Sequence, residues 1–291
     1  MMSTESQPLG RYVLRADFEE IQKKRGDFRP ASRIYAHYEL ERRLAERLRL
    51  SQPAERSAVY SEVYAELFRS LPDHPQHTAA RTEEQQVGVE LNYIRPLLSR
   101  DAVMLEIGCG DARLSFSVAP MVKLAYGLDV TDAVIKCELA PANFQFIKTG
   151  GINIDLPDNT VDIAYSNQLM EHLHPDDAEN QLKEVARILK PGGEYWCRTP
   201  NRVTGPHDIS CYFDRVATGF HLREYDYGSI HALFLRAGFR SLRFYVIRGE
   251  RKIRLPYWLA RTAEWALQRS ARLARVRQLR RLMDLNVVGT K

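Results

Sequence analysis

The first hundred residues of this 291-residue chain carry apolar side chains at helical spacing within a highly charged sequence. Leu40 and Leu44 are four residues apart on one expected helix face, and similar spacing recurs in 53–70 and 82–98. No stretch of this region alternates as a strand does. The pattern predicts an N-terminal helical cap or arm over residues 1–98.

The pattern changes at Ala102, where short apolar runs begin to alternate with helix-like stretches. Strands and helices that alternate in this way predict a parallel sheet covered by helices on both faces. The expected helices are 113–122, 133–140 and 176–189, and a Lys-Pro-Gly-Gly turn is expected before the fifth strand. The expected strands are 103–107, 124–128, 144–147, 161–165 and 194–198.

The last part of the chain departs from this alternation. Residues 229–237 are typical of a helix, 240–247 alternate as a strand does, and 285–289 are expected to form a final strand. Between these two strands lies an arginine-rich insertion, 248–284, which is predicted to be helical. The expected catalytic domain spans 99–291 and includes this insertion.

A glycine loop lies where the first strand gives way to a helix. Gly108 and Gly110 allow a tight turn and a close approach of the backbone to a ligand. Asp129 ends the second strand, where an acid can accept hydrogen bonds from ribose hydroxyls. Arg113 replaces the third glycine of a dinucleotide site, and the charge of Glu106 suits a sulfonium better than a diphosphate. These features predict a nucleoside site for a positively charged cofactor.

The segment 105–110, Leu-Glu-Ile-Gly-Cys-Gly, resembles the first motif of class I S-adenosylmethionine-dependent methyltransferases. Asp129 matches the ribose-binding acid of that family, 155–173 looks like its stretch around the fourth strand, and 189–193 is similar to its later signature. The resemblance covers 102–291. It implies an α/β fold with a Rossmann-like seven-stranded sheet whose last strand is antiparallel.

The resemblance also implies S-adenosylmethionine as the cofactor. Asn167 and Gln168 match the position beside the methionine part of that cofactor. The family usually has an acid near the adenine after its third strand; here Asn153 either supplies that contact or is an ordinary turn asparagine. The expected cofactor-binding residues are Glu106, Gly108, Cys109, Gly110, Asp129, Asn153, Asn167 and Gln168.

Three histidines follow the carboxyl ends of the later strands, where the methyl acceptor is expected. Methyl transfer is an in-line displacement that needs positioning and, for some acceptors, a base that takes a proton. His172, His207 and His221 are the candidate catalytic bases, in that order. A purely structural hydrogen-bonding role is the alternative for each, and an acceptor that is already a good nucleophile needs no base.

Two missing motifs narrow the range of acceptors. The segment 166–170 lacks the Asn/Asp-Pro-Pro-aromatic motif of amino-group methylation, and no Pro-Cys pair suggests a covalent route to a pyrimidine C5. The first expectation is therefore O-methylation of a small molecule, a sugar or a lipid-linked precursor. The alternatives are an RNA or protein methyltransferase that docks through the basic insertion, and a non-catalytic cofactor-binding or scaffold protein.

The formal net charge is +5, and arginine is concentrated in the insertion. Residues 255–281 can form an amphipathic helix that contacts an anionic membrane, or one that packs on the domain with a solvated basic face. Nucleic acid is the third possibility for this insertion: the charge suits it, but no recognised RNA-binding module is attached. The apolar positions expected to be exposed are Leu255, Trp258, Leu259, Trp265 and Leu267, and the arginines that follow are Arg272, Arg275, Arg277, Arg280 and Arg281.

The cysteines and the polar start of the chain indicate a cytoplasmic protein. The chain has no cysteine pair at zinc spacing and no signal-peptide pattern at its start. It also has no run near the roughly 20 apolar residues that a spanning helix needs. We therefore expect reduced thiols, no metal site and a cytoplasmic location. If the insertion binds lipid, the protein is also expected to associate with a membrane. The cysteines are Cys109, Cys137, Cys197 and Cys211.

Overall fold

The structure is a computed structural model, and not every residue is described. The arginines predicted to continue the basic helix, from Arg272 to Arg281, lie outside the described residues. The side chains of 80–86 and of residue 248 are likewise outside the description. The described residues are 11–71, 80–132, 134–248, 251–270 and 283–291.

The N-terminal region is helical, as its sequence pattern predicts. The leucine stripe of the second helix faces inward, with Leu44 and Leu48 fully buried. Inward burial of one stripe is what stabilises such a short, charged helix in water. The division into two domains at residue 98 stays a prediction. The helices are α1 Phe18–Arg25, α2 Ala31–Leu50, α3 Arg56–Ser70 and α4 Ala80–Ile94.

The strands form one sheet in the order β3-β2-β1-β4-β5-β8-β6-β7. The first five strands pair in parallel, whereas β8 runs antiparallel to both β5 and β6. The α/β class and the antiparallel last strand are thereby confirmed. The strands are β1 Val103–Ile107, β2 Leu124–Asp129, β3 Phe144–Lys148, β4 Val161–Asn167, β5 Leu189–Thr199, β6 Ser241–Arg248, β7 Arg251–Leu255 and β8 Leu285–Thr290.

The expected number of seven strands is wrong, because β7 adds an eighth within the insertion. This strand pairs antiparallel with β6 and forms the edge of the sheet. Its sequence, Arg-Lys-Ile-Arg-Leu, contains few apolar residues. Charged side chains are typical of an edge strand, which has only one strand neighbour. These charges also explain why the sequence pattern assigned the segment to the basic helical insertion.

The remaining helices agree with the predicted ones except at one place. The expected helix 133–140 is absent from the described residues, which contain only a single 3-10 turn there, Cys137–Leu139. The Lys-Pro-Gly-Gly turn lies inside β5, where the pairing with β4 shifts register. No helix within the described residues is both long and apolar enough to cross a bilayer. The helices are α5 Arg113–Val118, α6 Pro175–Ile188, α7 Tyr227–Arg236 and α8 Tyr257–Arg269.

Two apolar layers cover the sheet. One layer contains α6, α7 and α8 against one face, and the other contains α4 and α5 against the opposite face. The central strands β1 and β4 are buried on both faces, which explains their nearly continuous apolar sequences. All parallel strands therefore end at one edge of the sheet, and this edge is where a ligand of such a fold binds.

A buried ion pair joins the N-terminal helices to the sheet domain. Arg56, at the start of α3, donates to Asp177 in the first turn of α6, and both side chains are 3% exposed. The hydroxyl of Tyr60 lies 3.3 Å from the same carboxylate. The neighbouring Asp176 is 73% exposed and lies 3.8 Å from the guanidinium. Arg56 therefore has two neighbouring acids, of which Asp177 is buried and Asp176 is exposed.

We expect Asp177→Ala to lower the free energy of unfolding by about 3–5 kcal/mol, because Arg56 would keep a buried charge without its main partner. Asp176→Ala is the matched control and should cost less than about 1 kcal/mol. Urea unfolding of the two variants measures the difference. Equal losses would show that this ion pair does not hold the N-terminal helices in place.

Candidate functional site

The glycine loop after β1 has the backbone that its sequence predicts. Gly108 and Gly110 have φ angles of 72° and 52°, in the region that favours glycine. A Cβ on Gly108 would lie 3.1 Å from the side chain of Leu169, whereas a Cβ on Gly110 would meet nothing within 4 Å. The first glycine is needed for close packing, and the second borders open space.

Asp129 lies against this loop. Its Oδ2 accepts from the Gly110 N–H at 2.9 Å, and its Oδ1 accepts from the N–H groups of Val130 and Thr131 at 2.7 and 3.4 Å. Burial raises the pKa of Asp129, while these three hydrogen bonds oppose the rise. The carboxylate is thus held at the point where β2 ends beside the loop, which is the geometry that ribose recognition requires.

Glu106 faces a different group from the one expected. Its Oε2 accepts from both the N–H and the hydroxyl of Ser115 in α5, at 2.9 and 2.6 Å. Burial raises the pKa of Glu106 to about 8. Burial thus opposes the negative charge expected for this side chain, and its assignment to the cofactor stays a prediction. Its clear role is to fix the helix that follows the loop.

Cys109 and Asn153 show no side-chain contact that selects a ligand. Cys109 is buried, and its sulfur lies 3.0 Å from where a Cβ on Gly127 would sit, so it packs against β2. Asn153 is exposed after β3, and its backbone carbonyl accepts from Thr149 at 2.6 Å. Their assignment to the cofactor stays a prediction.

At the end of β4 lies a buried hydrogen-bond acceptor atom that has no donor among the described residues. Asn167 donates from Nδ2 to Glu90 of α4 at 2.6 Å, while its buried Oδ1 has no hydrogen-bond partner among the described residues. Gln168 is exposed with a φ of 55°, and its N–H donates to the Arg198 carbonyl. A buried carbonyl oxygen without a donor is costly, and such an atom commonly marks a ligand contact.

Two of the predicted histidines lie side by side. The rings of His172 and His221 are 4.9 Å apart, edge to face. His172 is half-buried, and its Nδ1 lies 3.0 Å from the Phe220 carbonyl. Because a carbonyl only accepts, Nδ1 of His172 carries a proton.

His221 is held as a cation. Its Nδ1 lies 2.7 Å from Glu224, and the two side chains are 9% and 4% exposed. Burial alone would lower the pKa of His221, but the hydrogen bond to Glu224 and the charges of Glu171, Asp208 and Glu224 outweigh it and raise the pKa to about 9. The imidazole is therefore protonated at neutral pH and does not act there as a base.

His207 lies in the same loop region but has a different environment. Its Nε2 is 3.0 Å from both the Asn201 carbonyl and the Thr204 hydroxyl, so this nitrogen carries a proton. Burial lowers the pKa of His207, which keeps the ring neutral. Its backbone N–H donates to Glu224 at 2.7 Å. These contacts favour a structural role.

Glu171 completes the group, and the sequence reasoning did not assign it a role. The side chain is fully buried, its Oε2 accepts from Thr199 at 2.8 Å, and its Oε1 has no partner among the described residues. Burial raises the pKa of Glu171 to about 7, against the lowering effect of protonated His221. The signal in the sequence was the Glu-His pair directly after β4.

The ligand atoms of Glu171, His172 and His221 lie within 4.8 Å of one another, a spacing that can hold a metal ion. The sequence predicted no metal site. With Nδ1 of His221 bound to Glu224, an ion there would have to bind Nε2 of His221 in place of a proton. We describe Glu171, His172 and His221 as an acid–base cluster.

The loop that carries His221 is fixed by buried carboxylates. Asp208 accepts through Oδ2 from the N–H groups of Gly219 and His221, at 3.0 and 3.3 Å. Glu41 of α2 accepts from the Phe220 N–H at 3.0 Å, and its other oxygen lies 2.7 Å from His37. The N-terminal helices therefore help to build this side of the site.

Comparisons with known proteins agree with this geometry. A family model described as a methyltransferase domain matches residues 105–197. A probable S-adenosylmethionine-dependent methyltransferase of Mycolicibacterium smegmatis is 32% identical over 137 residues, which cover 47% of this chain and 51% of that protein. Residues 105–197 are therefore similar to a methyltransferase domain, and the chain is similar over 137 residues to an S-adenosylmethionine-dependent enzyme.

The methyltransferase domain is also similar to that of a ubiquinone biosynthesis O-methyltransferase of Coxiella burnetii. The identity is 28% over 123 residues, which cover 39% of this chain and 50% of the relative. The chain thus spans about half the length of the curated relatives it matches.

Solved structures support the fold. A Burkholderia thailandensis 1,6-didemethyltoxoflavin-N1-methyltransferase aligns with a TM-score of 0.52 at 16% identity, over 83% of this chain and 91% of that chain. Haemonchus contortus phosphoethanolamine N-methyltransferase 1 aligns with a TM-score of 0.54 at 14% identity, over 82% of this chain and 50% of that chain. Identities this low carry the fold and not the substrate.

We expect Asp129→Ala to weaken the binding of S-adenosylhomocysteine by about 10- to 100-fold, because the ribose hydroxyls lose their charged acceptor. Isothermal titration calorimetry measures the change. Asp158→Ala is the control, since Asp158 is 67% exposed and pairs with Arg187. Unchanged affinity in Asp129→Ala would place the nucleoside elsewhere.

We also expect Glu224→Gln to lower the free energy of unfolding by an amount that depends on pH. The pKa of His221 lies above its ordinary value of 6.5, so its contribution is complete below about pH 6.5 and disappears as the pH rises through about 9. The variant should lose roughly 1–3 kcal/mol of unfolding free energy near pH 6.5 and much less near pH 10. Urea unfolding across this range measures the loss, with the exposed Glu62→Gln as control. A loss that is independent of pH would argue against a protonated His221.

Proposed function

We propose that this chain is an S-adenosylmethionine-dependent methyltransferase that methylates an oxygen of a small molecule, a sugar or a lipid-linked precursor. The observation that carries the proposal is the pair His172 and His221, one poised as a base and the other protonated, in the turns beyond β4 and β5. The family match and the geometry around Gly110 and Asp129 support the cofactor.

The residues on the β1, β2 and β4 ends fit S-adenosylmethionine. Asp129 would accept hydrogen bonds from the ribose, and the open space at Gly110 would take the nucleoside. The unpartnered Oδ1 of Asn167 would accept from the ammonium of the methionine part, with the carboxylate of Glu90 close by. When bound, the cofactor supplies an electrophilic methyl group.

His172 is the best candidate for the base that receives the proton of an acceptor hydroxyl. Its Nδ1 lies 3.0 Å from the Phe220 carbonyl, which fixes the orientation of the imidazole that would accept the proton. The 3-10 turn Met170–His172 directly follows Leu169, whose side chain lies over Gly108, so the turn that carries the base begins beside the cofactor loop. His172 is also half-buried, which leaves it accessible to a substrate.

His221 favours oxygen over a charged amine. A protonated imidazole stabilises the negative charge that develops on an oxygen as its proton leaves. The same cation repels an ammonium group. The relatives include both an O-methyltransferase and a phosphoethanolamine N-methyltransferase, so the charge of this cluster is what supports an oxygen acceptor here.

We expect His172→Ala to lower kcat by about 10²- to 10⁴-fold and to leave the affinity for S-adenosylhomocysteine unchanged, because the base acts on the acceptor. The assay supplies radiolabelled S-adenosylmethionine to polar, organic-soluble, protein and RNA fractions of a cell extract. Mass spectrometry of the labelled product then identifies an O-methyl group.

His231→Ala serves as the control variant, because His231 lies on α7 and stacks on Tyr257, outside the acid–base cluster. It should keep full activity. Label found only in RNA or protein would contradict the proposed acceptor class. Full activity of His172→Ala would remove the base from the mechanism while leaving the cofactor assignment intact.

A further inference from the structure

One side of α8 exposes aromatic residues. Trp258 and Trp265 are 68% and 56% exposed, and they lie seven residues apart on one face of the helix. Leu259 beside them is 42% exposed. Leu267 was expected to be exposed with them, but it is buried, on the opposite face. An isolated exposed tryptophan is unremarkable, whereas two on one helix face indicate a contact surface.

The opposite side of α8 is firmly packed, so the exposed tryptophans are not a sign of a loose helix. Ala260, Glu264 and Leu267 are buried. Glu264 accepts from the side chain of Asn201 and from the Tyr227 N–H, both at 2.8 Å. These contacts fix the orientation of the helix, and its aromatic side therefore faces outward.

The charge around this side is basic. Arg269 lies on the tryptophan face, with its guanidinium 4.4 Å from the Trp265 ring centroid. Arg251 and Arg254 are exposed in β7, the strand that leads into α8, and form no salt bridge with a carboxylate of the described residues. The acid of this segment, Glu264, is buried and pairs with Arg261. Outward-facing charge is thus positive.

The buried side of α8 lies next to the proposed acceptor region. Asn201, whose side chain binds Glu264, also presents its carbonyl to His207. A surface that docks through α8 would therefore lie near the loops that follow β5.

We propose that Trp258, Leu259, Trp265 and Arg269, which we call the aromatic-basic face, dock on an anionic lipid bilayer with Arg251 and Arg254 as flanking cations. Tryptophan prefers the interface between headgroups and acyl chains, and arginines are attracted to anionic lipids. Docking would be peripheral. The inference does not depend on the identity of the methyl acceptor.

Tryptophan fluorescence of the full chain tests the proposal directly. The chain has three tryptophans, and the third, Trp196, is 6% exposed within the sheet. On vesicles of phosphatidylcholine with about one-third phosphatidylglycerol, we expect a blue shift, because Trp258 and Trp265 leave water. The double variant W258A/W265A should show no shift and should bind at least about tenfold more weakly in a flotation assay.

The charge requirement has its own matched pair of variants. R254Q/R269Q should weaken binding to the same vesicles by about fivefold or more, and added salt should weaken wild-type binding. R100Q/R240Q changes the net charge equally, at arginines that are exposed elsewhere, and should bind as the wild type does. Circular dichroism of all variants confirms that they fold.

Several outcomes would overturn the proposal. They are the absence of vesicle binding, equal binding to pure phosphatidylcholine, and unchanged binding by W258A/W265A. A wild-type dimer in light scattering that becomes monomeric in W258A/W265A would assign the face to self-association. Binding of RNA that R254Q/R269Q abolishes, without vesicle binding, would assign the charge to nucleic acid.

Discussion

The candidate site depends on buried carboxylates that are paired with main-chain N–H groups. Asp208, Glu224 and Glu41 all bind backbone N–H groups of the loop between residues 207 and 221. A buried carboxylate without partners costs several kcal/mol, so each acid fixes the backbone that satisfies it. The loop is therefore specified by polar contacts and not by apolar burial alone. Since His221 is part of this loop, its position and its charge follow from the same contacts.

This arrangement separates the two halves of the site. The family match spans 105–197 and includes the glycine loop, Asp129 and the turn with Glu171 and His172. Three other residues of the site follow the match in the chain: His207, His221 and Glu224. Glu41 lies well before it, in α2. The cofactor side thus belongs to the part shared with the relatives. The proposed acceptor side combines His172, within the match, with segments beyond it, so the acceptor does not follow from the match alone.

The sequence predicted what local patterns determine. The central strands were predicted because both faces are buried, and the loop was predicted because Gly108 and Gly110 need unusual backbone angles. Strand β7 was missed because an edge strand can be short and charged. The protonation of Glu106 and of His221 could not be predicted, since each depends on burial and on partners 3 to 50 residues away in sequence.

The contrast between the two adjacent imidazoles is the last consequence of these contacts. His172 faces a carbonyl and His221 faces a carboxylate, and a carboxylate favours the protonated ring more strongly. Two protonated rings 4.9 Å apart would repel each other. Against the effect of burial, the hydrogen bond to Glu224 and the neighbouring acids raise the pKa of His221 to about 9, so the positive charge is favoured on that ring. An acceptor placed between base and cation can lose a proton and keep its developing negative charge stabilised, a combination that neither histidine provides alone.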